Sequence, residues 1–435
     1  MKKTYKYRIY ANREALAKAD TWLFLCRRLY NTALEQRITI YQQNKGSISC
    51  YSQINQLPDL KAYFPEYREV GSQVLQDVLE RLDKAYQNFF RRVKNGNGKA
   101  GFPRFKGRDR YNSFTLKQTG WKLDGRYLSI RNVGRFKLKL SRQIVGDIKT
   151  VTIRRESTGK WYVCFSCANV PERVLEKSTN TIGIDVGIKS FLVDSEDKKV
   201  DNPAYFRQSE KLLRRRQRRL CRRVKGSNGR RQVRVLVAKA HEKVKDQRND
   251  FLHKVANQYI AQYGVIFIED LNIKGMVKNH HLSKSISDSS WGKFFELLNW
   301  KAEEAGREVI RIPRFEPSSK TCSDCGVINK ALTLNDRQWV CQACGVLHDR
   351  DFNAAINIAR VGQALREQTC AVAQSVSRES PLFRAGECQR GYLPLSTSSG
   401  AMESSSRSGY LLQSSRSLEL GSVKSQPKLD DNPKS

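Results

Sequence analysis

From Thr4 to Tyr10 the chain sets Tyr5, Tyr7 and Ile9 against Lys6 and Arg8, an alternation of period two that predicts a half-buried β-strand. Asn12 is suited to cap a helix, and Leu16, Leu23, Cys26, Leu29 and Leu34 then recur at helical spacing. A second helix is predicted over Ser72 to Val93. There Val74, Leu75, Val78, Leu79, Leu82, Ala85, Phe89 and Phe90 form one apolar stripe, the pattern of a helix-bundle core. Asn95-Gly-Asn-Gly98 ends this helix as a linker. Between Ser113 and Asn169 the period returns to two. Asp124-Gly125 and Thr158-Gly159 read as hairpin turns, with Lys122 to Ile130, Gly134 to Leu140, Thr150 to Arg155 and Lys160 to Cys167 as strand segments. With the N-terminal strand these segments can close a small barrel, interrupted by the helices at residues 13 to 94.

The second half of the chain places acids at the ends of apolar runs. Ile182 to Ile184 delivers Asp185, flanked by Gly183 and Gly187, before Phe191-Leu-Val193 resumes the apolar pattern. Gly264-Val-Ile-Phe-Ile268 reads as a buried strand ending in Glu269 and Asp270; Glu269 is preferred because it directly follows Ile268. Asp351 opens a helix that runs through Ile358. Three carboxylates from two strands and a helix can converge on divalent metal, the arrangement that two-metal phosphodiester hydrolysis requires. Beyond about Glu367 the chain is Ser-rich with no sustained period, so residues 368 to 435 are predicted to be disordered.

Charge narrows the partners. The 435 residues carry 79 Lys plus Arg against 43 Asp plus Glu, a formal charge of +36, which points to a polyanion. No apolar stretch approaches the roughly 18 to 20 residues of a membrane span, and the N-terminus has no apolar signal region, so the predicted location is cytoplasmic and nucleoid-associated, with no membrane partner. Arg207 to Arg248 is dense in Lys and Arg. Arg214, Arg215, Arg218, Arg219, Arg222 and Arg223 are predicted to contact nucleic acid, and helical spacing is expected to spread the charges of the whole segment, Arg216 among them, around the helix rather than onto one face. Gly101-Phe-Pro-Arg-Phe-Lys-Gly107 interleaves aromatics with Arg104 and Lys106, a composition able to stack bases and pair phosphates.

Eleven cysteines, an odd number, suit a reducing compartment. Cys164 and Cys167 stand three apart in a strand and so point to opposite faces, which predicts ordinary core residues. Cys322-Ser-Asp-Cys325 and Cys341-Gln-Ala-Cys344 differ: two Cys-x-x-Cys pairs fifteen residues apart can surround one structural Zn²⁺ tetrahedrally. His348 is not needed as a ligand.

Gly183-Ile-Asp-Val-Gly-Ile-Lys189, then Ile268-Glu-Asp-Leu-Asn-Ile-Lys-Gly-Met276, then paired cysteines leading into His348-Asp-Arg-Asp-Phe-Asn-Ala-Ala-Ile-Asn-Ile358, resemble the nuclease core of TnpB (OrfB) proteins. These are encoded by insertion sequences and are similar to type V CRISPR effectors. The resemblance runs from about residue 3 to about 360. It implies a multidomain α/β chain: a RuvC, or RNase H-like, nuclease over 178–317 and 347–367, and a zinc ribbon at 318–346. A wedge-like β-barrel is implied at 1–12 and 110–175, with a helical recognition lobe at 13–109. It implies RNA-guided DNA cleavage by Asp185, Glu269 and Asp351 with two Mg²⁺ or Mn²⁺ ions, and places Arg350 beside the phosphate path. The family pattern selects Asp351 over Asp349. It also implies a guide RNA from the transposon end, double- and single-stranded target DNA, and reading of a short flanking motif by Ser72 and Gln76; whether one copy or two bind each RNA is open in the sequence, with a monomer favoured. The alternatives are a guide-dependent repressor that binds without cutting, which the three intact acids disfavour, and a transposase or accessory protein of transposition.

Overall fold

The computed structural model describes residues 1–96, 100–172, 175–333 and 335–378. The chain divides into two units, Met1–Val372 and Ala373–Ser435. Of the second unit, only residues 373–378 are described.

The first module opens with strand β1 (Lys3–Tyr10), whose Tyr5, Tyr7 and Ile9 are buried as the alternation requires. Helix α1 (Arg13–Asn44) is capped by Asn12, whose side chain accepts from the Ala15 amide at 2.9 Å. Two short helices, α2 (Cys50–Asn55) and α3 (Leu57–Tyr63), lead to α4 (Ser72–Lys94). Val74, Leu75, Val78, Leu79 and Leu82 of α4 are buried, whereas Phe90 is exposed. Residues 97 and 98 of the expected linker lie outside the described residues.

Six strands follow: β2 (Ser113–Leu116), β3 (Trp121–Asp124), β4 (Tyr127–Ile130), β5 (Gly134–Lys139), β6 (Asp147–Arg155) and β7 (Trp161–Ala168). The hairpin turn expected at Asp124-Gly125 is present: Gly125 turns the chain at φ +51° and β3 pairs with β4. The seven strands lie in the order β2-β6-β7-β1-β5-β4-β3. Strands β2 and β3 stand at opposite ends of that order yet are joined by residues 117–120 alone. Such a connection spans about 17 Å at most, whereas seven flat strands are about 29 Å wide. The sheet must therefore curl until its edges approach. In β7, Cys167 is buried and Cys164 is half-buried on the other face, as expected.

The second module is a five-stranded mixed sheet. Strands β8 (Thr181–Asp185), β9 (Ser190–Asp194) and β10 (Lys199–Asp201) form an antiparallel meander. A helical hairpin follows, α5 (Tyr205–Cys221) and α6 (Asn228–Gln262), and then β11 (Val265–Glu269), parallel to β8. The short helices α7 (Ile273–Met276) and α8 (Ser283–Ser289) precede α9 (Trp291–Ala305) and β12 (Glu308–Ile312), giving the order β10-β9-β8-β11-β12. A small hairpin, β13 (Gln338–Val340) with β14 (Leu347–Asp349), leads directly into α10 (Arg350–Arg378).

The two faces of this sheet hold different cores. Ile182, Ile184, Ile266 and Ile268 pack on α6 and α9, while Val265 and Phe267 pack on Ile358 of α10. Helix α10 continues to Arg378, through residues 368–378 that composition had assigned to a disordered tail. The apolar positions Val361 and Leu365 extend its helical period, and the Ala, Gln, Arg and Glu around them are strong helix formers. Residues 379–435 of that expected tail lie outside the described residues. No described helix is long and apolar enough to cross a membrane.

Candidate active site

Asp185 and Glu269 terminate neighbouring parallel strands. The register pairs Ile184 with Ile268, so the two acids stand side by side at the same end of the sheet. Residues two apart on a strand share a face. Asp185 thus faces with Gly183, and Glu269 with Phe267, toward α10. The packing there is close: a Cβ at Gly183 would lie 2.3 Å from the Ala355 carbonyl, and one at Gly362 would lie 2.2 Å from the Phe267 ring. Glycine at these two positions lets α10 lie against β8 and β11, which brings its first turn, with Asp351, to the acidic strand ends.

Two aspartates compete for notice at that turn, and the structure separates them. Asp349 Oδ1 accepts from the amides of Asp351 (3.0 Å) and Phe352 (3.2 Å), so it caps α10. Burial pushes its carboxyl up, but Lys199 and those amides outweigh burial and hold it below the ordinary aspartate value. Asp351 instead meets Arg350 Nη2 at 3.1 Å and Arg337 Nη1 at 3.4 Å. Similarly Asp270 is an exposed partner of Arg311 and Arg314, whereas Glu269 is half-buried and accepts from Ser318 Oγ.

The electrostatics mark Asp185 as the centre. Its carboxyl is pushed well above the ordinary aspartate value, first by burial, then by the charges of Glu269 and Asp351, with Arg350 opposing them. Burial also raises Glu269, and Ser318 counters it. The three carboxylates are neighbours rather than a tight knot. Among the described residues, the groups whose ligand atoms all lie within 4.8 Å of one another are the four cysteines and the set Cys322, Asp324 and His348. Ser318 anchors Glu269, and Arg337 and Arg350 both anchor Asp351, while Asp185 feels Arg350 through its charge. A donor set of oxygen acids that raise one another's affinity for positive charge fits hard divalent cations.

Cys322, Cys325, Cys341 and Cys344 converge as the spacing predicts, with Sγ–Sγ separations of 3.7 Å (Cys322–Cys344) and 3.5 Å (Cys325–Cys341). Amides of Cys344 and Ala343 point at Cys341 and lower its thiol to about 6, favouring the thiolate that a metal needs. His348, buried opposite Trp339 in the β13–β14 hairpin, places Nε2 3.0 Å from Cys322 Sγ. It hydrogen-bonds a candidate ligand and supports the cluster from outside.

Sequence reasoning missed the parts that connect these centres. Asn353 and Asn357 are both buried on α10. Asn357 Nδ2 donates to the carbonyls of Ser318 (2.8 Å) and Thr321 (2.6 Å), and Asn353 Nδ2 donates to the same pair at 3.4 and 2.7 Å. Asn353 Oδ1 also accepts from the Ser323 amide at 2.9 Å. The two asparagines clamp the segment that carries both Ser318 and Cys322. Their i, i+4 spacing was visible in the sequence, but their partners more than thirty residues upstream were not.

Seven residues of the basic segment, Lys211, Arg214, Arg215, Arg218, Arg219, Arg222 and Arg223, line one open pocket of about 790 Å³, whereas Arg216 turns away and donates to the Leu236 carbonyl. The seven follow one another at intervals of three and one, the i, i+3, i+4, i+7 recurrence that keeps them on one side of a helix, while Leu213 packs against Ala240 and Val244 of α6. Asp288 fixes the start of α5 by accepting from the Phe206 and Arg207 amides and from Arg248. Elsewhere Arg104 is exposed, Lys106 Nζ lies 5.2 Å from the centre of the Tyr30 ring, and Phe102 packs on Tyr86 and Phe89. Ser72 accepts from Lys61 and shares a face of α4 with half-buried Gln76.

The fold and site define a multidomain protein of mixed helices and sheets, with a curled sheet, half-buried acids at strand ends and a four-cysteine cluster. Family models match at residues 164–280 ("Probable transposase"), 291–358 ("Cas12f1-like, TNB domain") and 1–46 ("Helix-turn-helix domain"). A Streptomyces pristinaespiralis protein named "Putative RNA-guided DNA endonuclease" is 32% identical over 84% of this chain and 90% of its own length. An Escherichia coli (strain K12) protein of the same description, InsQ, is 30% identical over 68% of this chain and 76% of its own. Among solved structures, a Cas12f1-sgRNA-target DNA complex is similar at 15% identity and a TM-score of 0.49, covering 82% of this chain and 98% of that one. The chain belongs to the TnpB (OrfB) family of transposon-encoded RNA-guided DNA endonucleases.

Proposed function

We propose that this protein is the RNA-guided DNA endonuclease of an insertion sequence, cutting target DNA beside a short flanking motif through Asp185, Glu269 and Asp351. The observation that carries the reading is Asp185: a buried carboxyl raised by two other acids, at the end of parallel strands against which α10 presents the third. In this reading the five-stranded sheet with α10 is an RNase H-like (RuvC) nuclease, and residues 318–346 are a zinc ribbon holding one structural Zn²⁺ on Cys322, Cys325, Cys341 and Cys344. The curled sheet is the wedge, with helices α1 to α4 inserted as the recognition lobe.

Asp185, Glu269 and Asp351 would hold two Mg²⁺ or Mn²⁺ ions, which supply an activated water and neutralise the leaving oxygen. The chain's own work is positioning. Parallel pairing fixes Asp185 beside Glu269, and Ser318 orients the Glu269 carboxylate. Asp349 caps α10 so that Asp351 stays at its first turn, and Arg337 and Arg350 hold the Asp351 carboxylate. The arginine face of α5 matches the repeating charge of a nucleic-acid backbone. A guide RNA reads the target by pairing, so the protein has only to grip the heteroduplex shape and the displaced strand.

The test uses purified protein with its co-purified RNA, Mg²⁺ and a supercoiled plasmid bearing the matching target. Wild type yields linear product. Asp185→Ala shifts the plasmid without cutting it, and cleavage by that variant removes the carboxylate assignment.

A further inference from the structure

Phe315 is 92% exposed, more than any other large hydrophobic side chain among the described residues. An isolated ring on a mobile surface loop would mean little, but this loop is held at both ends. Arg314 donates through Nε to the Asp270 carbonyl (3.1 Å) and pairs with its carboxylate. Ser318 donates to Glu269, and its carbonyl is held by Asn357. Between these anchors, the Glu316 amide closes a turn on the Pro313 carbonyl, and Pro313 and Pro317 restrict the backbone. The backbone that carries the ring is thus held while the ring stands in water, and three residues of chain put that backbone within about 10 Å of Ser318, the partner of Glu269.

A solvent-facing aromatic on an anchored loop, next in sequence to Arg314, which with Arg311 gathers at Asp270, has the composition of a single-strand stacking platform: a π-face for a base, and cations for the flanking phosphates. Resting on the nuclease reading, we infer that Phe315 stacks on an unpaired nucleobase of the DNA strand being cut, next to the scissile phosphodiester, and so sets which bond reaches the three acids. A base inside a duplex has both faces covered by its neighbours, so the occupant is an unpaired strand. Phe315 is a substrate-positioning residue and touches no reacting atom.

The test uses the full chain with its co-purified RNA and target DNA carrying 2-aminopurine at successive positions around the cut. Binding is read in an Asp185→Asn background, where nothing is cleaved. With Phe315 present, fluorescence is quenched at one or two positions flanking the scissile bond. Phe315→Ala abolishes that local quenching and Phe315→Tyr keeps it. In the Asp185-intact protein, Phe315→Ala weakens capture of the cut strand about tenfold, the lower range for loss of one base stack, and scatters the cut positions, while Phe315→Tyr restores both. Melting temperature and zinc content stay at wild-type values, because the ring is outside the core. The proposal is overturned if quenching is the same with alanine, or if Phe315→Leu restores cut position as well as tyrosine does. Because quenching is read without cleavage, failure here is distinct from failure of the nuclease reading, which shows as a wild-type protein that binds target and does not cut.

Discussion

Asn353 and Asn357 act as a redundant clamp, and redundancy makes a quantitative prediction. Each donates to both the Ser318 and Thr321 carbonyls, so removing one leaves each carbonyl a partner. Asn357→Ala should cost about 1 kcal/mol, the net value of an ordinary hydrogen bond, and Asn353→Ala about 2 kcal/mol, because it also orphans the Ser323 amide. Removing both orphans that amide and two carbonyls, at about 1 to 3 kcal/mol each, so the double variant should lose about 5 kcal/mol. Native-state hydrogen exchange reads this locally in peptides covering residues 317–325. The Asn357 and Asn353 variants should speed exchange about fivefold and about thirtyfold and the double variant over a thousandfold, whereas independent effects would give about a hundred-and-fifty-fold. Since the clamp positions Ser318 against Glu269, the double variant should also lose turnover while target affinity is unchanged. Additive exchange rates, or full turnover in a double variant whose loop has opened, would refute the reasoning.

Three further outcomes follow from the site. The native state keeps a proton on Asp185 that the unfolded chain releases, so its contribution turns destabilising as pH rises above the ordinary aspartate range. Asp185→Asn should therefore raise the melting temperature at pH 7 without added Mg²⁺, but not at about pH 3.5; equal melting at pH 7 argues against a strained carboxyl. Cys341→Ser, or chelation to a verified zinc-free state, should lower cleavage and loosen the segment around Asp351, because the ribbon delivers both Arg337 and the β14 strand to it; unchanged cleavage counts against that coupling. Replacing Arg218 and Arg219 with glutamine should reduce the slope of log affinity against log salt by about 1.5, the loss of two phosphate contacts, and an unaltered slope would take the α5 face out of the nucleic-acid interface.

Much of the framework was legible because burial on one face leaves a period. Tyr5, Tyr7 and Ile9 gave β1, the stripe from Val74 to Leu82 gave α4, and acids at the ends of apolar strands gave the site. Four cysteines were legible for a different reason, since a tetrahedral metal site constrains spacing directly. That seven of the basic residues gather on one side of α5 follows from their phase: the same i, i+3, i+4, i+7 recurrence that marks an apolar stripe marks a charged one. Ser318, Arg337 and the buried asparagines stayed hidden because each works through a partner far along the chain, and a hydrogen bond between distant segments leaves no local pattern.

Strand β1 sits between β7 and β5 at the middle of its sheet, yet it is the first element made and its main partner is among the last of that module. Some 127 residues separate Tyr10 from Lys137 of β5, its first partner to be made, which at translation rates of about 5 to 20 residues per second leaves the nascent strand unpaired for about 6 to 25 seconds. Lys6 and Arg8, alternating with its apolar positions, discourage edge-to-edge association during that wait. The helical insertion has that interval in which to form on its own, so its length and surface can diverge between elements while the sheet that closes around it stays the same.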